Sequence, residues 1–195
     1  MTADAMSISR WIVAALGAAF LLTAGAAMAE VSVIGNGLAA ECSTAATGVA
    51  GNQPARRDAI HLCTLALENE SMSPHETAST HVNRGVLYMT DGAGDDALHD
   101  FDAALKIEPT LPEAMVNRGA ALIFSGRNAE GAAEITRGLA LNPIEPEKAY
   151  YNRGVAEERL HDLKGAYFDY KKASELKPDW AMPKNELARF KVSQR

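Results

Sequence analysis

The sequence predicts an all-α chain of stacked helix-turn-helix units closed by a C-terminal capping helix, on three observations. The tripeptide Asn-Arg-Gly recurs at Asn83-Arg84-Gly85, Asn117-Arg118-Gly119 and Asn152-Arg153-Gly154, at spacings of 34 and 35 residues. Pro109, Pro143 and Pro178 step by the same intervals, which places the one inserted residue in the loop Ile144-Glu145-Pro146-Glu147. Small residues recur in phase between them: Gly85, Ala97 and Ala104, then Gly119, Gly131 and Gly138, then Gly154, Ala166 and Ala173. Two helices approach closely only over such positions.

Before the repeats, the apolar and uncharged run Trp11 to Thr23 follows Arg10 and leads into Ala27-Met28-Ala29, a small-residue cleavage signal. Residues 1–29 are therefore expected to be a signal peptide cut between Ala29 and Glu30, giving an exported, periplasmic protein of bacterial type. The alternative is an N-terminal membrane anchor, since the run up to Ala29 approaches the ~20 residues that cross a bilayer. Residues 30–40 hold two glycines and no helical period, and are expected to be a flexible leader. Residues 41–77 read as a degenerate helical hairpin whose second helix contains Ala59, Ile60, Leu62, Cys63 and Leu67. Its first helix would begin at Cys42. An antiparallel pair brings Cys42 beside Cys63, and an oxidising compartment favours a disulfide over two buried thiols.

Within each unit, larger apolar residues fall at helical spacing, such as Tyr88, Leu98, Phe101 and Leu105 in the first and Tyr167, Tyr170 and Leu176 in the third. Turn residues split every unit in two: Asp91-Gly92-Ala93-Gly94, Ser125-Gly126-Arg127-Asn128 and His161-Asp162. Ser73-Pro74-His75-Glu76 and Thr110-Leu111-Pro112-Glu113 both carry the S/T-x-x-E capping box with a proline in the first turn. After Trp180, Lys184 to Phe190 reads as a final helix covering the last unit. The second unit has Gly131 and Gly138 where alanine is usual and is expected to be the softest, at ~1 kcal/mol per helix glycine relative to alanine.

A 34-residue unit with Gly, Tyr, Ala, Phe, Ala and Pro in this order resembles the tetratricopeptide repeat. The resemblance implies a right-handed α-solenoid with full units at 78–111, 112–145 and 147–180 and a capping helix in 181–195. It also implies a concave face, built from the first helix of each unit, that holds a peptide. On that face the asparagines Asn83, Asn117 and Asn152 would form a ladder whose amides both donate to and accept from a peptide backbone; local helix hydrogen bonds are their other use. Val82, Val86 and Met89, then Val116, Ala120 and Ile123, then Tyr151 and Val155, would line the groove, unless the C-terminal helix or the leader packs there. Some members hold a partner's terminal carboxylate. Asn117 and Lys148 fall at matching places, but Val82 and Val86 stand where Lys and Asn are needed, and Asn152 where a base is expected.

Arg84, Arg118 and Arg153 are each followed by an acid fifteen or sixteen residues on, at Asp100, Glu134 and Asp169. These read as structural ion pairs tying the two helices of a unit. The formal net charge of −6 supplies no electrostatic footprint for nucleic acid or anionic lipid. His61, His75, His81, His99 and His161 are scattered, with no H-E-x-x-H, C-x-x-C or phosphate loop. His61 and Cys63, two residues apart on a helix, face different ways. The expectation is a non-enzymatic scaffold without metal or cofactor, binding a protein or peptide and involved in envelope assembly or secretion. The alternative is a subunit that self-associates as a homodimer through its apolar groove.

Overall fold

The computed structural model describes residues 7–8, 37–48, 53–190 and 192–193. Apart from residues 7–8, the expected signal peptide, its cleavage site and most of the leader lie outside the described residues. The helices are α1 (Leu38–Gly48), α2 (Gln53–Asn69), α3 (Pro74–Asp91), α4 (Gly94–Ile107), α5 (Pro112–Phe124), α6 (Asn128–Leu139), α7 (Pro146–Arg159), α8 (Leu163–Leu176) and α9 (Ala181–Leu187). Two two-residue strands, β1 (Ser7–Ile8) and β2 (Val192–Ser193), pair antiparallel. The helices pack as hairpins, α1 on α2, α3 on α4, α5 on α6 and α7 on α8, and each hairpin packs on the next. Because α1, α3, α5 and α7 also touch in succession, the first helices share one face. The chain is an all-α repeat solenoid, as the periodicity predicts.

Three turns split the units by the same device. Gly92 and Ala93 donate back to the carbonyls of Met89 and Tyr88 at 3.2 and 2.9 Å, Gly126 and Arg127 to Ile123 and Leu122 at 3.1 and 2.8 Å, and His161 and Asp162 to Glu158 and Glu157 at 3.0 and 2.8 Å. This closure satisfies the last helical carbonyls and requires a left-handed residue. Gly92 and Gly126 adopt it at φ 85°, whereas the third unit uses His161 at φ 65°.

Three local expectations are corrected. Ser73 forms its capping box with Glu76, but Thr110 does not: α5 starts after Leu111, with no side-chain cap. Glu113 is buried instead and accepts the Ile144 N–H at 3.0 Å, so it ties the loop after α6 to the start of α5. The leader ends earlier than expected, because α1 begins at Leu38 and Cys42 lies a turn inside it. The Glu70 carboxylate accepts the Ala39 N–H at 2.8 Å, and such a cap outweighs the lack of periodicity in residues 38–40. The first helix of the first unit likewise starts at Pro74, ahead of the phase counted from residue 78. Cys42 and Cys63 form a disulfide, with Cα atoms 4.8 Å apart.

Inside each hairpin the core rests on a small residue facing a large one. A Cβ on Gly85 would lie 2.6 Å from the Phe101 ring, and one on Gly154 3.0 Å from the Tyr170 ring. In the second unit Ile135 replaces the ring, and α5 and α6 meet backbone to backbone. There a Cβ on Gly131 would lie 2.6 Å from the Gly119 carbonyl oxygen and 2.5 Å from Ile123. Gly131 is thus the complement of a smaller partner, and the helix-propensity cost expected of it is tied to closer packing. Replacing Gly131 with alanine is therefore expected to destabilise by about 1–3 kcal/mol through overpacking, despite the better helix former. Gly94→Ala, with nothing within 4 Å of its Cβ, should lose no stability; thermal denaturation of the two variants checks the contrast.

Candidate peptide-binding groove

The scaffold beneath the shared face is held by the three predicted arginines. Arg84 on α3 makes a two-pronged contact with Asp100 on α4, Nε to Oδ2 at 2.8 Å and Nη2 to Oδ1 at 2.7 Å. Arg153 on α7 does the same with Asp169 on α8, at 2.7 and 2.9 Å. Each also reaches back to the preceding hairpin, Arg84 Nη1 to Thr64 at 3.0 Å and Arg153 Nη1 to Thr136 at 3.1 Å. Neither threonine was singled out from the sequence, although both sit one hairpin earlier on the second helix. Each arginine therefore fixes its own hairpin and its stacking on the previous one. A tyrosine packs over each guanidinium, Tyr88 at 5.9 Å and Tyr150 at 5.5 Å from ring centre to Cζ.

The middle arginine differs. Arg118 lies 3.3 Å from Glu134 and 2.6 Å from Asp102, but its Nε has no aligned hydrogen bond, and Glu134 is held by Arg137 at 2.9 Å. Asp102 is 59% exposed, so this strut works in water while the outer two work in the interior. His81, another residue unassigned from the sequence, adds a contact from Nδ1 to Asp100 at 2.9 Å. Burial raises the affinity of Asp100 for a proton, but the hydrogen bonds from Arg84 and His81 outweigh it and hold the carboxyl below its usual range.

On this frame Asn83, Asn117 and Asn152 occupy the same position of α3, α5 and α7, and all three are buried. The Nδ2 of Asn83 has no hydrogen-bond partner, and neither does Ser79 Oγ one turn before it. Val82 and Val86 are buried with Phe101 and Leu111, and Val116 and Ile123 with Ile135 and Ala149. These side chains of the apolar stripe are thus covered. Val155 is half-buried against the same cluster. Lys148 is also half-buried and donates to Glu145 at 2.7 Å, so the one base matching a carboxylate-holding site is engaged within its own helix start.

Tyr151 belongs to an aromatic cluster that periodicity alone does not place. Its ring centre is 5.6 Å from that of Tyr170 and 5.0 Å from that of Trp180, where the chain enters α9. Phe190 closes the cluster over Tyr170 and Tyr167. Burial, and then Glu186, push the Tyr151 hydroxyl up to about 12. Tyr170 donates to Glu158 at 2.9 Å, and Arg189 donates to the same oxygen at 2.7 Å, so α9 is pinned by charge as well as by rings. Glu157, where the first unit has Tyr88, has a buried oxygen without a partner. Burial, and then the Asp169 charge, raise its carboxyl to about 7, with Arg153 opposing. Among the described residues no group of three or more His, Cys, Asp or Glu side chains could hold a metal ion, and no helix is long and apolar enough to cross a membrane.

Stacked antiparallel helix pairs with a shared first-helix face define a helical-repeat solenoid. Residues 147–179 match the family model described as tetratricopeptide repeat. RNA polymerase II-associated protein 3 from Xenopus tropicalis is 31% identical over 115 residues, covering 59% of this chain and 17% of that protein. Photosystem I assembly protein Ycf3 from Acaryochloris marina is 32% identical over 71 residues, covering 36% of this chain and 41% of that protein. The chain therefore spans less than half the length of these relatives. Among solved structures, the first TPR of Spaghetti (RPAP3) bound to HSP90 peptide SRMEEVD superposes with a TM-score of 0.55 at 28% identity, covering 59% of this chain and 93% of that one. The crystal structure of MamA shares the fold, with a TM-score of 0.60 at 20% identity over 79% of this chain and 82% of that one. Residues 147–179 thus match one tetratricopeptide repeat, and the chain as a whole is similar in fold to tetratricopeptide repeat domains.

Two outcomes follow for the frame. Asp100→Asn is expected to cost about 3–5 kcal/mol, because it leaves Arg84 buried against a neutral group. Glu134→Gln should cost less, because Arg118 keeps its contact with the exposed Asp102 when the buried Glu134 is neutralised; urea denaturation of both variants measures the difference. For Glu157 the folded-state pKa is raised, so the folded chain binds the extra proton and stability falls as pH climbs from the ordinary glutamate range through about 7. Glu157→Gln should remove that slope and raise the melting temperature at pH 8 but not at pH 4.

Proposed function

We propose that this chain is a non-catalytic scaffold or adaptor that holds an extended or helical segment of another protein along the shared face of α3, α5 and α7. The observation that carries the reading is the repetition of one amide-bearing side chain, Asn83, Asn117 and Asn152, on three successive first helices. A side-chain amide that donates and accepts at each step suits a peptide backbone and is indifferent to its sequence. The similar Spaghetti domain, whose structure holds a peptide, supports the same use of the fold.

The partner is of a different chemistry from the acidic SRMEEVD segment. Val82 and Val86 offer that segment no charge, and Lys148 is already paired with Glu145. The favoured segment is one with apolar side chains and a free backbone. The N-terminal apolar run and the Ala27-Met28-Ala29 site support an exported, periplasmic setting, and the resemblance to tetratricopeptide repeats suggests a role there in envelope assembly or secretion. A self-associating subunit is the second reading. It is favoured by the exposed Ile107, Leu141 and Leu176, which repeat near the end of each second helix, together with exposed Ile144.

Fluorescence anisotropy with a library of labelled extended peptides tests the first reading. Apolar, uncharged peptides should bind more tightly than SRMEEVD, and Asn117→Ala should weaken them roughly tenfold, as for lost backbone hydrogen bonds. A fall in melting temperature with unchanged binding would move Asn117 to a purely structural role. A concentration-dependent dimer in sedimentation, with no peptide bound, would favour the second reading.

A further inference from the structure

The disulfide between Cys42 and Cys63 ties the first helix of the array to the second, and three observations bear on what that tie holds. Helix α1 is short, 11 residues, and buries only Ala39, Cys42 and Ser43. A helix of this length is marginal in water unless a large apolar face anchors it. A hydrogen bond from Ala39 to the Glu70 carboxylate and the small side chains of Ala45 and Ala46, packed on the Cys42–Cys63 cluster, add to its anchorage.

The row Ser79, Asn83, Leu87 runs along α3 at intervals of four residues, and Leu87 shares its apolar cluster with Cys42 and Cys63. Helix α1 also packs on α3. Two polar atoms of that row, Ser79 Oγ and Asn83 Nδ2, are buried and unpaired. Buried polar atoms left unpaired count against the closed arrangement, since water would satisfy both. The seat of α1 is thus poorly anchored without its covalent link, whereas α3 to α8 are held by arginine struts and ring packing that do not involve it.

We propose that Cys42–Cys63 is a redox-addressable site, and that its reduction by a dithiol releases α1 from the array while the three full repeats stay folded. The exchange balances: a dithiol thiolate attacks one Sγ, the S–S bond breaks, and the second thiol displaces the mixed disulfide. The protein gains two thiols and the reductant becomes a disulfide. Both cysteines are fully buried, so attack waits on local opening of the hairpin. Release bares the inner face of α3 along Ser79, Asn83 and Leu87, and so opens the first step of the asparagine row. This last consequence rests on the proposed peptide-holding function; the release of α1 does not.

Hydrogen exchange read by mass spectrometry on the full chain, oxidised and after treatment with dithiothreitol, tests the release. Exchange in residues 38–48 should accelerate on the order of a hundredfold, as loss of the constraint on a loop of 21 residues implies, while α5 to α8 keep their protection. The double variant Cys42→Ala with Cys63→Ala should show the same pattern without reductant. Unchanged protection of α1 in both samples overturns the proposal, and so does loss of protection along the whole array. Peptide binding that fails in every state would sink the function and leave this result standing.

Discussion

The contact on which the array depends is the arginine that follows the recurring asparagine in each unit and pairs with a carboxylate on the neighbouring helix. Arg84 and Arg153 satisfy Asp100 and Asp169 in the interior with two hydrogen bonds each, and extend a further donor to Thr64 and Thr136 of the preceding hairpin. A planar guanidinium presents its donors in fixed directions, so one side chain sets two relations, helix against helix and unit against unit. The asparagine beside it is thereby delivered to the same face in each unit. The shared asparagine face is a by-product of the strut.

The second constraint is volume. Each hairpin balances one large residue, Phe101, Ile135 or Tyr170, against a glycine across from it. Where the large residue shrinks to Ile135, the neighbouring position shrinks to Gly131 and the helices close up. The middle unit compensates its missing ring by backbone approach, and its strut is correspondingly looser, reaching the exposed Asp102 and the Glu134 already held by Arg137. The units at either side carry the stronger ties. The last is finished by the ring cluster of Tyr151, Tyr170, Trp180 and Phe190.

The repeat, its turns and its ion pairs were legible in the sequence because they recur, and recurrence is independent of tertiary detail. Asp100, Glu134 and Asp169 could be paired with their arginines by counting alone. What periodicity could not supply was the use of residues that break it. Tyr151 stands where Val82 and Val116 stand in the other units, and only the position of α9 shows that it closes the end of the array. Glu113 fits a capping box by spacing, but helix α5 begins one residue too late for Thr110 to cap it, so its carboxylate turns to the Ile144 amide. The start of α1 was hidden because its cap comes from Glu70, 31 residues away.

The stripe of Val82, Val86, Val116 and Ile123 is covered, so in the proposed function recognition along this face falls to the polar groups beside it and to the order in which the struts set them. Side-chain amide NMR measures that most directly. In a 15N-labelled sample titrated with one apolar extended peptide, the Nδ2 resonances of Asn117 and Asn152 should shift together and saturate at one ratio, while the Arg84 and Arg153 Nε signals stay in place. Amide signals that remain still while the peptide binds would contradict the account, and would place recognition on the exposed edge of Ile107, Leu141 and Leu176 instead.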